Sequence, residues 1–179
     1  MQEPTIKGIF VNSHIKNLKK QKGEEGIEEL RKRYGKSIEF RNSENVPVRE
    51  EVKIIEIALQ ILTNDSVPKD QIAFEAGKLH FKDFVTTPLA KIIFSLFRNN
   101  FKLMMLQSKN IAGHVFNGVK FSSEELGPKQ ARVIMENNDY PIDHFRGLFQ
   151  EWMDYSGLTG VVKGKLRKDG SYEYLMTWQ

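Results

Sequence analysis

The hydrophobic period of this chain changes after Gly113, and that change restricts the fold more than any other feature. Before it, apolar residues recur every three or four positions, the spacing that lines one face of a helix. Phe10, His14 and Leu18 stand at i, i+4 and i+8 with Val11 and Ile15 beside them, which predicts a helix over Ile6 to Lys20. Gly23 and Gly26 interrupt it, and Ile27, Leu30 and Tyr34 resume the period as far as Gly35, a suitable C-terminal cap. Ser37 to Pro47 is polar and reads as a loop. Val52, Ile55, Leu59 and Leu62 predict a helix from Arg49 to Thr63. Pro68 suits the first turn of the next, which carries Ile72, Ala73, Ala76 and Leu79 to about Phe84. Pro88 opens a third with Leu89, Ile92, Ile93, Leu96 and Phe97, and Asn99-Asn100 breaks it before a fourth from Phe101 to Ser108.

Beyond Gly113 the period shortens to two. Val115, Asn117, Val119 and Phe121 alternate with Phe116, Gly118, Lys120 and Ser122, and after the turn-like Leu126-Gly127-Pro128 comes the branched run Ala131 to Met135. Both read as strands. Asp139 is placed to cap a helix at Pro141, in which Ile142, Phe145, Leu148, Phe149 and Trp152 share a stripe. Gly157 ends that helix. Val161 to Arg167 and Ser171 to Trp178, joined through Asp169-Gly170, form a hairpin, because Gly accepts the positive φ of such turns. Several helices followed by strand, strand, helix and hairpin make an α+β fold, a helical layer packed on a small antiparallel sheet. No repeat or linker divides the 179 residues, so one domain over 1–179 is expected.

A chain of this length buries enough surface to fold without covalent staples. With no cysteine, disulfides, thiolate catalysis and zinc–cysteine sites are excluded. The longest apolar stretch, Leu89 to Leu106, contains Lys91, Arg98 and Lys102 and is too polar to span a bilayer. The N-terminus does not read as a signal peptide, and a cytoplasmic location is expected. The net charge of +4 is small. Basic residues gather at Lys16, Lys19, Lys20 and Lys22 and at Arg31, Lys32, Arg33 and Lys36, but Glu24, Glu25, Glu28 and Glu29 interrupt them. That pattern reads as a solvated face, and nucleic acid is not an expected partner.

Catalytic chemistry finds little to stand on. His14, His80, His114 and His144 form no local pair, and no HExxH is present, so no metal ligand is expected. Glu24-Glu25, Glu28-Glu29, Glu50-Glu51 and Glu124-Glu125 fall on polar faces or in loops, where water keeps both members ionised. No serine has a GxSxG setting, and no glycine-rich phosphate loop occurs. The chain is not expected to be an enzyme.

Aromatic and methionine side chains are the more suggestive signal. Phe74, Phe84, Phe97, Phe101, Met104 and Met105 in the central helices, with Phe145, Phe149 and Trp152 near the C-terminus, could line an apolar pocket. His114 stands at the junction of helices and sheet, where pockets often open.

Three stretches carry a family likeness: Ile6-Lys7-Gly8-Ile9-Phe10 with Gly23-Glu24-Glu25-Gly26-Ile27; Phe74-Glu75-Ala76-Gly77-Lys78; and Phe145-Arg146-Gly147-Leu148-Phe149 with Tyr172-Glu173-Tyr174 and Thr177-Trp178. In their order the chain resembles an uncharacterised bacterial family expanded in myxobacteria. That family is similar to a ligand-binding superfamily of heme nitric-oxide-binding domains, 4-vinyl-reductase domains and TRAPP subunits. The resemblance implies helices against a small antiparallel sheet, often with a cavity for heme or an acyl chain. The chain lacks the Tyr-x-Ser-x-Arg motif of the heme branch and the hairpin cysteines of many 4-vinyl-reductase domains, so no cofactor is expected. The expectation is a small-molecule-binding or sensor protein with an apolar pocket, acting through a protein partner or homodimer. The alternatives are a heme-binding gas sensor using His114 or His80, and an interaction module using the basic helices.

Overall fold

The computed structural model describes residues 2–97 and 100–179. Strand β1 (Thr5–Lys7) leads into α1 (Gly8–Tyr34), and β2 (Asn45–Pro47) into α2 (Val48–Leu62). A 3-10 turn at Lys69–Gln71 precedes α3 (Ile72–Phe84), followed by α4 (Pro88–Phe97), α5 (Phe101–Leu106) and α6 (Ser108–Val115). Strands β3 (Phe116–Asn117), β4 (Lys120–Gly127) and β5 (Gln130–Glu136), helix α7 (Ile142–Tyr155) and the hairpin β6 (Gly160–Leu166) and β7 (Tyr172–Trp178) complete the chain. This is the α+β arrangement that the change of period predicts.

Two antiparallel sheets result, ordered β2-β1-β3 and β4-β5-β7-β6. In the larger one Tyr174 and Met176 of β7, with Ala131, Val133 and Met135 of β5, are fully buried, as the alternating pattern requires. Helix α7 lies on this face, with Phe145 and Phe149 packed on Tyr174, whose hydroxyl donates to the carbonyl of Ile142 at 3.2 Å. Helix α3 covers the other side of α7. Phe74 meets Arg146, Phe81 meets Trp152 and Lys82 meets Glu151, so the two helices run in the same direction. Helices α1 and α2 close the outer layer, and nearly all buried apolar side chains join one continuous core. Among the described residues no helix is long and apolar enough to cross a membrane.

Several boundaries differ from the sequence reading, each for a physical reason. Residues 5–7 are extended rather than helical, because β1 pairs with β2 on one side and β3 on the other. The break at Gly23-Gly26 is a kink within α1 rather than an end. Gly23, at φ 66° and ψ −157°, takes a conformation that a side chain would strain. Val115 belongs to α6, where Ile111, Ala112 and Val115 are buried at helical spacing, so the first strand starts later than its alternation suggests. At α7 Asp139 makes no side-chain cap: Pro141 occupies the cap position, and Asn138 accepts the N–H of Tyr140 at 3.0 Å in the turn ahead of the helix. Asn100 caps α5 by accepting the N–H of Leu103, whereas Asn99 lies outside the described residues.

Candidate functional site

The apolar face of α2 carries a carboxylate. Glu51 lies one turn before Ile55 and beside Val52, and it is fully buried. The expectation of a solvated Glu50-Glu51 pair is therefore wrong for Glu51. Glu50, in contrast, accepts from the Tyr34 hydroxyl at 2.7 Å and from Lys36 at 3.1 Å. Around Glu51 the apolar stripes of three other helices each supply an imidazole. His14 sits between Phe10 and Leu18 of α1, His80 follows Ala76 and Gly77 in α3, and His144 precedes Phe145 in α7. All three are buried. Three of the four histidines, which form no local pair in the sequence, meet in one cluster.

His14 bridges two carboxyl groups. Its Nδ1 lies 2.7 Å from Asp83 Oδ2 and its Nε2 2.9 Å from Glu51 Oε1. Burial opposes a charge on His14, but these two hydrogen bonds outweigh it and raise its pKa to about 9, so both ring nitrogens donate at neutral pH. Burial likewise opposes ionisation of Glu51, and the surrounding His80 and His14 more than offset it, holding the carboxyl at about 2. The other two histidines are neutral. Burial lowers His80 to about 3 and His144 to about 4, and they share one hydrogen bond between His80 Nδ1 and His144 Nε2 at 3.0 Å. His80 Nδ1 is also 3.5 Å from Glu51 Oε1. Tyr140 stacks on His144 with ring centroids 4.7 Å apart, and burial together with Glu51 pushes its phenol well above the usual range. Among the described residues Glu51 Oε2, Tyr140 Oη and His144 Nδ1 have no hydrogen-bond partner.

His80 also borders a second feature, an apolar cavity of about 50 Å³ between α3, α5, α6, α7 and the sheet. Six residues expected of a pocket wall line it: Phe84, Met104, Met105, Phe145, Phe149 and Trp152. Ser108, with an unpartnered buried hydroxyl, is its other polar contact besides His80. The remaining four candidates lie elsewhere. Phe74 stacks under Arg146 and Lys78, Phe97 is half-buried against the core, and Phe101 packs edge-on to Trp178. His114 is exposed.

Four of the eight basic residues gathered in and just after α1 form ion pairs. Lys19 reaches Glu24, Arg31 reaches Glu28, Arg33 bridges Glu29 and Asp65, and Lys36 meets Glu50.

The profile described as "Protein of unknown function (DUF2378)" matches residues 1–179. The chain belongs to the DUF2378 family. Among curated proteins none matches this DUF2378 chain. Solved structures do. An H-NOX mutant from T. Tengcongensis aligns at TM-score 0.65 with 16% identity, covering 97% of both chains. A mutant of the Fe(II) unliganded H-NOX protein from K. algicida gives 0.66 and 13%, covering 97% of this chain and 96% of the other. An oxygen-binding H-NOX domain related to soluble guanylate cyclases gives 0.65 and 14%, covering 97% and 95%. The DUF2378 protein thus shares the H-NOX fold over nearly its whole length, as the resemblance in its sequence implies.

Proposed function

We propose that this DUF2378 protein is a cytoplasmic small-molecule-binding or sensor domain rather than an enzyme. The observation that carries the reading is the apolar cavity between helical layer and sheet in an H-NOX-like fold, lined among the described residues by apolar and aromatic side chains apart from His80 and Ser108. A cavity of about 50 Å³ exceeds the 10–15 Å³ that one water needs and falls well below the 300–1,000 Å³ of pockets for drug-sized ligands. The ligand class it suits is a small, mainly apolar molecule of a few heavy atoms. Occupancy would bear on α7, which joins the cavity wall to the sheet, and the response would pass to a partner chain or a second copy through the surface.

Heme suits this interior poorly. A cavity of about 50 Å³ is far too small for a porphyrin, whose bulk needs a pocket of the drug-sized class. Of the two histidines considered as axial ligands, His114 is exposed and does not line the cavity. The paired lysines and arginines of α1 give equally little support to a nucleic-acid interface.

A melting screen with small apolar molecules and dissolved gases tests the proposal, because specific binding raises the midpoint. A saturable rise abolished by Ser108→Leu supports it. No rise with any compound, together with native mass spectra showing no retained molecule, would sink it.

A further inference from the structure

Helices α1, α2 and α3 each point one metal-type donor at the same spot. One donor atom from each of His14, Glu51 and His80 lies within 4.8 Å of the other two, and all three residues are buried. Two of the separations are 2.9 and 3.5 Å. Ligands held about 2.0–2.1 Å from a tetrahedral ion stand roughly 3.4 Å apart, so small side-chain adjustments would seat one. The geometry points to a binding site for a divalent transition-metal ion of the zinc class, held by His14 Nε2, Glu51 and His80 Nδ1.

Three further observations favour an ion over a plain polar core. The first is the orientation of His14. Its Nδ1 is fixed on Asp83 Oδ2 at 2.7 Å, the arrangement by which a carboxylate orients a ligating histidine and leaves Nε2 for the metal. The second is unsatisfied donor capacity at the same place. Glu51 Oε2 is buried with no partner in hydrogen-bond geometry, and the Tyr140 hydroxyl that faces Glu51 does not close a well-formed bond to it. A buried carboxylate oxygen left unpaired is costly unless a cation or a water completes it. The third is the number of donors. Two carboxyl groups, Asp83 and Glu51, flank His14 at 2.7 and 2.9 Å, and His14 Nε2 faces Glu51 Oε1 across the space a metal would take. His144 Nε2, 3.0 Å from His80 Nδ1, stands within reach as a fourth donor.

The donor set selects among metals. Two or three imidazoles with one carboxylate suit zinc, iron(II), cobalt(II) or nickel(II), whereas calcium and magnesium call for oxygen ligands. Binding displaces one proton, from His14 Nε2, and the Nδ1–H bond to Asp83 is kept. The site does not require the neighbouring cavity to hold anything.

The test uses the full chain, stripped with a chelator and titrated with zinc chloride, then with cobalt(II), whose visible absorption reports nitrogen and oxygen coordination. The expected result is one ion per chain with release of a proton, measured from the dependence of binding heat on buffer. Glu51→Gln and His80→Gln should each weaken affinity at least 100-fold, and Asp83→Asn 10- to 100-fold, the range for loss of an orienting partner. Circular dichroism confirms which variants fold. The wild-type cobalt spectrum serves as the measurement that needs no variant. No stoichiometric binding by the wild type overturns the proposal. Unchanged binding in folded Glu51→Gln also overturns it, because the ion would then lie elsewhere.

Discussion

Gly77 of α3 and Gly147 of α7 each lie against the backbone of the other helix. A Cβ added to Gly77 would stand 1.8 Å from the carbonyl oxygen of His144, and one added to Gly147 would stand 1.9 Å from that of Phe74. His80 is one turn beyond Gly77, and His144 one turn before Gly147. The close approach of the two backbones is therefore what lets the imidazoles meet at 3.0 Å.

Alanine in an exposed helix usually gains about 1 kcal/mol over glycine. At these two positions the sign should reverse. Gly77→Ala and Gly147→Ala are each expected to destabilise by about 3 kcal/mol, because the obstruction is backbone and cannot rotate away. Urea unfolding of either variant at or above wild-type stability would refute the crossing described.

Stability of the metal-free protein should peak near pH 6.5. His14, raised from 6.5 to about 9, contributes stability in full below pH 6.5 that is lost as pH climbs through 9. His80 and His144, lowered to about 3 and 4, stay neutral when folded but take up protons when unfolded, so stability falls as pH drops below 6.5. Chemical denaturation across this range in the presence of a chelator measures both limbs. In His14→Asn the decline between pH 6.5 and 9 should disappear.

Removing the bridge between two carboxylates should cost more than removing one of them. His14→Leu leaves Asp83 and Glu51 buried without a cation and is expected to lose about 3–5 kcal/mol. Glu51→Leu leaves the His14–Asp83 pair intact and should lose less. The reverse order in metal-free unfolding curves would show that the cluster is not organised around His14.

Met105→Ala enlarges the apolar cavity and should destabilise by about 2–5 kcal/mol, in return for new uptake of a small aromatic probe such as benzene. Trp152 lines that cavity and Trp178 does not. In a Trp178→Phe background, emission from Trp152 should therefore change with added probe. An unaltered spectrum at saturating benzene would argue against the enlarged site.

The α+β plan was legible because its carriers are local. Val52, Ile55 and Leu59 specify a helix face within one segment, and Asp169-Gly170 specifies a turn by itself. The cluster was not legible as a unit, since His14, Glu51, His80 and His144 are brought together only by the packing of four helices. Each nevertheless left a trace. Glu51 occupies a position on the apolar stripe of α2 that a charged residue fills only with a partner, and His14 does the same on α1. Reading Glu50 and Glu51 together as a solvated pair concealed this, because neighbours in a helix point about 100° apart. The cavity was half legible for a related reason. Composition marks bulky side chains, but which way Phe74 and Phe101 face depends on tertiary packing.

Strand β1 joins residues far apart along the chain. Ile6 pairs with Phe116, about 110 positions later, so this pairing closes a loop that contains the first six helices. Such a long closure is entropically favourable only after the enclosed segments have collapsed. During synthesis β1 must wait without its second neighbour until Phe116 and Asn117 have left the ribosome. The small three-stranded sheet is thus a late event in folding, a clasp that locks once the helical layer is already in place.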